Sequence, residues 1–250
     1  MIWRASPNFD ARDADIDTLV LHYTGMPTGG AALDRLTDAA AEVSAHYLVE
    51  ENGEVYQLVE EDSRAWHAGV SYWRGAANLN ARSIGIEIVN PGHEFGYRSF
   101  TKAQMASVAV LAVDIVERHG ILPRNVVGHS DIAPLRKNDP GELFDWKMLS
   151  AKGIGLWFAD HLEINPAAVS YSLGMAAGGV TKLRDALTEI GYDGQGGELY
   201  DAGLAALITA FQRHWRPARV DAVADAETQA VIYAVRDSAR RLTRSSAHLR

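Results

Sequence analysis

Thr18-Leu19-Val20-Leu21-His22-Tyr23 is a short, β-rich, mostly apolar run. Its length and composition are those of a buried strand. Downstream, Ser83 to Val89 alternate Ile84, Ile86 and Ile88 with Gly85, Glu87 and Val89, which makes a strand with one charged residue on an otherwise apolar element. Between the two, residues 25–30 read as a loop and residues 31–43 carry helical spacing. Residues 46–50 and 54–59 read as a hairpin with Asn52-Gly53 as its turn. Thr101 followed by Gln104 is a capping-box signature, apolar spacing predicts a long helix from there, and Gly120 closes it. Val126-Val127-Gly128-His129 is one more short strand, running into a loop rich in Asp and Pro, and residues 144–149 predict a further helix. Strands and helices therefore alternate to about residue 150, the pattern of an α/β fold with a central mixed β-sheet flanked by helices.

Beyond that point the pattern changes. Residues 1–152 form the expected first domain, 153–178 a linker in which Trp157 and Phe158 should still find packing partners, and 179–245 a small three-helix C-terminal domain. Its helical segments fall at residues 180–190, 202–215 and 226–235, and the Arg- and Ser-rich stretch from Arg236 is expected to fray.

Composition narrows the function classes. The chain has 250 residues, 24 basic against 32 acidic, a net charge of −8, and 47% hydrophobic residues. That is enough apolar mass for a proper core, and the acidic balance argues against a nucleic-acid partner, whose phosphates need clustered Lys and Arg. Cysteine is absent, which excludes disulfides, thiolate-bound zinc and a thiol nucleophile. The longest apolar run, residues 106–113, is too short to span a bilayer. Charges interrupt the first seventeen residues, so a leader is not expected and a cytoplasmic location is; a periplasmic enzyme stripped of its leader would read the same way.

Among nine histidines, the useful ones fall at strand ends next to loops. His22 ends the first strand, His129 ends a later one, and Asp139 follows ten residues on. Two His and one Asp leave the fourth tetrahedral position of a zinc ion open to water, whose pKa the metal lowers to about 7. Glu87, a carboxyl group among isoleucines, is costly to bury without a partner or a task and suits a general base with a raised pKa. Lys137, two residues before Asp139, would share its face in an extended loop and can stabilise an oxyanion. A competing triad, His129 and Asp131 with His161, mimics the ligand set of iron oxygenases, but the strands such a fold requires are not predicted after residue 129. Spacing alone leaves these metal readings open.

Motif order goes further. Leu21-His22-Tyr23-Thr24, Ser44-Ala45-His46-Tyr47, Ala65-Trp66-His67-Ala68-Gly69, Ser83-Ile84-Gly85-Ile86-Glu87, Gly128-His129-Ser130-Asp131-Ile132-Ala133-Pro134 and Lys137-Asn138-Asp139-Pro140-Gly141 resemble, in register, the consecutive motifs of the zinc-dependent N-acetylmuramoyl-L-alanine amidases. The resemblance covers roughly residues 15–150 and implies a fold like that of peptidoglycan recognition proteins. It also implies Zn²⁺ held by His22, His129 and Asp139, with Glu87 as acid/base and Lys137 on the oxyanion. Trp66, His67 and Asn80 fall in family motifs near the groove and are expected to touch substrate.

The implied reaction cuts the amide between the lactyl group of N-acetylmuramic acid and L-alanine. The expected substrate is a 1,6-anhydro-muropeptide in peptidoglycan recycling, with intact cell wall as the alternative. A zinc peptidase cutting within the stem peptide and a non-catalytic muropeptide-binding module remain open. More loosely, Leu183-Arg184, Leu187, Gly191-Tyr192, Ala210-Phe211-Gln212 and Thr228 resemble the three-helix peptidoglycan-binding domain, although Arg219-Val220-Asp221-Ala222-Val223 replaces its usual glycine-bearing turn.

Overall fold

A computed structural model describes residues 1–159 and 161–247, with side chains to residue 242. In chain order the elements are β1 (Ile2–Trp3), β2 (Phe9–Ala11), β3 (Thr18–Tyr23), α1 (Gly29–Thr37), β4 (Tyr47–Val49), β5 (Val55–Gln57), β6 (Ser63–Ala65), β7 (Tyr72–Trp73), β8 (Ala76–Ala77) and β9 (Ser83–Ile88). They continue with α2 (Gly92–Phe95), α3 (Lys102–His119), β10 (Val126–Gly128), α4 (His129–Ile132), α5 (Trp146–Ser150), α6 (Gly178–Ile190), α7 (Ala202–Trp215) and α8 (Ala226–Ala247).

Six strands make one sheet in the order β1-β5-β4-β9-β3-β10. It is mixed: β4 and β5 form the expected antiparallel hairpin, while β4, β9, β3 and β10 run parallel to one another. Period-2 alternation decides what each face holds. Leu19, Leu21, Ile84, Ile86, Ile88 and Val126 point to one side and bury against Met105, Val108, Ala112 and Ile115 of α3. Thr101 and Gln104 form the reciprocal capping box that starts α3, and Gly120, in the left-handed region, ends it. On the other side Val20 and Val127 share a core with Leu183, Leu187, Phe211 and Trp215 of α6 and α7, and Leu48 packs with Leu33 and Leu36 of α1. His22 lies two residues from Val20, and Glu87 is its cross-strand partner. Both therefore project from this second face, at the carboxyl ends of parallel strands, where open α/β sheets place their ligands.

Several boundaries differ from expectation. The helix predicted over residues 31–43 stops at Thr37 because Asp38 takes an extended conformation and its side chain accepts from the Ala40 N–H, turning the chain into a short 3₁₀ segment. His129 does not close β10 as its last residue but opens α4. The predicted fraying from Arg236 does not occur: α8 continues to Ala247, with Ala239 buried and Arg240 paired with Glu189 of α6. Residues 248–250 of that stretch lie outside the described residues. Trp157 and Phe158 stack on each other and pack against the cores. Among the described residues no helix is long and apolar enough to cross a membrane.

Candidate active site

The strand ends bring His22, His129 and Asp139 together although 117 residues separate the first from the last. His22 Nδ1, His129 Nδ1 and Asp139 Oδ2 form a triangle with sides of 2.9, 3.0 and 3.0 Å. All three residues are buried. One proton can bridge only one side of such a triangle, so three ligand-type atoms converging this closely are better satisfied by a cation. Tetrahedral zinc at ordinary Zn–N and Zn–O lengths would set the sides at about 3.3 Å, and the donor set fits that ion. Burial, reinforced by the neighbouring His129, lowers the His22 pKa to about 4. Burial alone would raise that of Asp139, but His129 and His22 outweigh it and hold the carboxyl group well below its usual range. A neutral imidazole and an ionised carboxylate are the forms a metal binds.

Behind the triangle the far ring nitrogens are tied down, which fixes both tautomers. His129 Nε2 donates to the Ala68 carbonyl at 3.1 Å. His22 Nε2 donates to His67 Nδ1 at 3.0 Å, His67 Nε2 donates to Ser83 Oγ at 3.2 Å, and Ser83 Oγ donates to the Leu79 carbonyl at 2.6 Å. Gly85 makes room for this chain, since a Cβ there would lie 2.5 Å from the His67 ring.

Glu87 and Lys137 both line the adjoining cleft, a cavity of about 390 Å³ that also includes Tyr23, Met26, Arg35, Glu94, Arg136 and Asn138. Glu87 is only partly covered, yet its Oε2 is enclosed and has no hydrogen-bond partner. Burial and then the nearby Asp139 raise its pKa well above the usual range, with Lys137 opposing them. A carboxyl group held above its ordinary range in this way suits proton exchange with a reacting group.

The three residues expected to touch substrate are placed differently around the cleft. His67 is in the cleft wall, with its ring nitrogens hydrogen-bonded to His22 and Ser83. Asn80 Oδ1 accepts the backbone N–H groups of His67 and Ala68, fixing the loop that carries them. Trp66 lies outside the cleft lining. The iron-type triad does not assemble: His161 is exposed and Asp131 turns away to Tyr192 and His214. Sequence reading missed Arg136, whose guanidinium donates to the carbonyls of Ala68 and Val70 and braces the wall beside His129. Its only signal is its place next to Lys137. It also gave no role to Ser83, although that residue opens the motif that ends at Glu87.

Comparison with known proteins agrees with this geometry. The sequence profile of the N-acetylmuramoyl-L-alanine amidases matches residues 12–142, more than half of the chain. The N-acetylmuramoyl-L-alanine amidase AmiD of Escherichia coli is 41% identical over 235 residues, 88% of this chain and 82% of that protein. Its structure in complex with anhydro-N-acetylmuramic acid-L-Ala-D-γ-Glu-L-Lys superposes with a TM-score of 0.77 at 38% identity, covering 91% of this chain and 92% of that one. AmpDh3 of Pseudomonas aeruginosa, in complex with an anhydromuramic pentapeptide, gives a TM-score of 0.76 at 34% identity, covering 94% and 95%. The 1,6-anhydro-N-acetylmuramyl-L-alanine amidase AmpD of Haemophilus influenzae is 37% identical over 162 residues, 57% of this chain and 86% of that protein.

Proposed function

This chain belongs to the N-acetylmuramoyl-L-alanine amidase family, and from that premise we propose that it hydrolyses the amide joining the lactyl group of N-acetylmuramic acid to L-alanine, with soluble anhydro-muropeptides as substrates and zinc as its metal. The observation that carries the reading is the convergence of His22 Nδ1, His129 Nδ1 and Asp139 Oδ2 at the base of a cleft that also holds Glu87 and Lys137. Zinc held there supplies, when bound, a Lewis acid and a water acidified to a pKa of about 7.

The chain's own groups do the rest. Glu87, in register with His22 on the neighbouring strand, takes the proton of the attacking water as the new C–O bond forms. Its raised pKa lets it keep that proton long enough to return it to the departing amine of L-alanine when the C–N bond breaks. Lys137 donates to the oxygen of the carbonyl as negative charge gathers there. In the same reading residues 1–152 are the catalytic domain, 153–178 the linker and 179–245 the helical domain. The complexes of AmiD and AmpDh3 with anhydro-muropeptides support the substrate class.

The test is mass spectrometry of products after the zinc-loaded protein meets anhydro-muropeptide and, separately, intact sacculi. Release of free peptide beginning at L-alanine is expected from the soluble substrate. Glu87→Gln should retain zinc and slow that release by about a hundredfold or more. Preferential release from sacculi would overturn the soluble-substrate reading, and no release from either would overturn the amidase reading.

A further inference from the structure

Asp131 is a buried carboxylate two residues past a ligand, and its own loop satisfies only part of it. Its Oδ2 accepts the Gly128 N–H at 2.7 Å. The remaining partners come from the C-terminal helical segment: Tyr192 donates its hydroxyl to Oδ1 at 2.6 Å, and His214 Nδ1 donates to Oδ2 at 2.7 Å. All three side chains are at most 3% exposed. His214 is also clamped flat between Trp146 and Trp215, with ring centroids 3.7 and 3.6 Å apart and interplanar angles of 14° and 4°. Trp146 in turn abuts Gly128, where a Cβ would lie 3.3 Å from the indole.

We propose that Tyr192 and His214 are positioning residues of the metal centre, acting through Asp131 on His129 and Asp139. This rests on the zinc reading of those ligands. Asp131 fixes the backbone of Gly128 at the entry to His129, and the next N–H, that of Ser130, holds the carbonyl of Asp139 at 2.8 Å. One clip therefore carries two of the three ligands, and its outer jaw is built from His214 of α7 and Tyr192 in the turn that follows α6. An unanchored Asp131 would turn toward water or recruit it, since a buried carboxylate left short of donors is costly. The clip would move with it and open the triangle. The C-terminal helices thus buttress the catalytic centre, whatever else they bind.

The test is zinc affinity by chelator competition on the full chain, with cobalt(II) absorption as a second readout. Tyr192→Phe removes one hydroxyl and keeps the ring, and His214→Ala removes the clamp; each should weaken zinc binding about tenfold, the range typical of groups that hold a ligand in place. His214→Asn, whose amide nitrogen can stand where Nδ1 stood, should recover affinity to within about twofold of the parent and restore the cobalt d–d band that His214→Ala shifts. Gln212→Ala is the control. Gln212 lies on the same helix but bonds to Asp221, Ala222 and Val223 instead, so its loss should lower Tm and leave zinc affinity alone. Unchanged affinity in Tyr192→Phe and His214→Ala, or an equal loss in Gln212→Ala, would overturn the positioning role. A parent protein that binds no zinc would overturn the metal reading itself.

Discussion

Glu87 shows how one residue can be read from sequence and still hold back its detail. A single carboxyl group amid Ile84, Ile86 and Ile88 announces itself because nothing in strand packing calls for it. The structure adds an enclosed Oε2 without a partner. Its pKa in the folded protein is raised well above the ordinary 4.5, by burial first and Asp139 second. The folded state therefore holds the proton more tightly than the unfolded chain. Stability from this group is fully present below pH 4.5 and falls as pH rises toward the folded pKa. In the metal-free protein, Glu87→Gln should be stabilising at pH 7 and nearly neutral at pH 4. Thermal denaturation at the two pH values checks this; an equal effect at both would contradict it. Of the candidate metal-binding residues, His22 and His129 stood out as polar residues at the end of a strand or just past it, while Asp139, in the loop beyond α4, was marked by its motif. The tautomer chain from His22 through His67 to Ser83 was not legible, because its contacts join residues 45 and 16 positions apart, and no local spacing encodes them.

At the scale of elements, β9 carries the clearest physical constraint. Its apolar positions face α3, and its other face must leave space for the His67 ring, which Gly85 provides. Gly85→Ala should drive the ring off His22, lowering stability by about 1–3 kcal/mol as overpacking does and weakening zinc binding. Chemical denaturation together with metal titration measures both, and an unchanged affinity would show that His67 does not orient His22. Long, strongly patterned elements such as β3 and α3 were readable because hydrophobic period and caps agree. The end of α1 was not, since Asp38 offered its own side chain to the backbone in competition with the helix. The length of α8 was missed for a tertiary reason: Arg240 finds Glu189 on α6 and Ala239 finds the core, so a stretch that reads as solvent-loving stays helical.

For the whole molecule, the sequence pattern gave the mixed sheet, its flanking helices and the helical C-terminal segment, but not how closely the last of these serves the first. Val20 and Val127 of the sheet share one core with Leu183, Leu187, Phe211 and Trp215, and the buried Asp131 takes two of its hydrogen bonds from residues 61 and 83 positions later. Apolar helical spacing says only that a face will be buried. Which surface buries it is settled by three-dimensional fit. The resulting assembly has a cleft that unites three residues able to hold a metal, a carboxyl group of raised pKa and a lysine. In the proposed reaction water attacks the lactyl carbonyl there. Hydrolysis of an anhydro-muropeptide in ¹⁸O-labelled water, followed by mass spectrometry of both products, shows where that water goes. One ¹⁸O in the lactyl carboxylate of the anhydro-sugar, with an unlabelled peptide beginning at L-alanine, is the predicted result. Label in a carboxylate of the stem peptide, with the sugar still bonded to L-alanine, would contradict it.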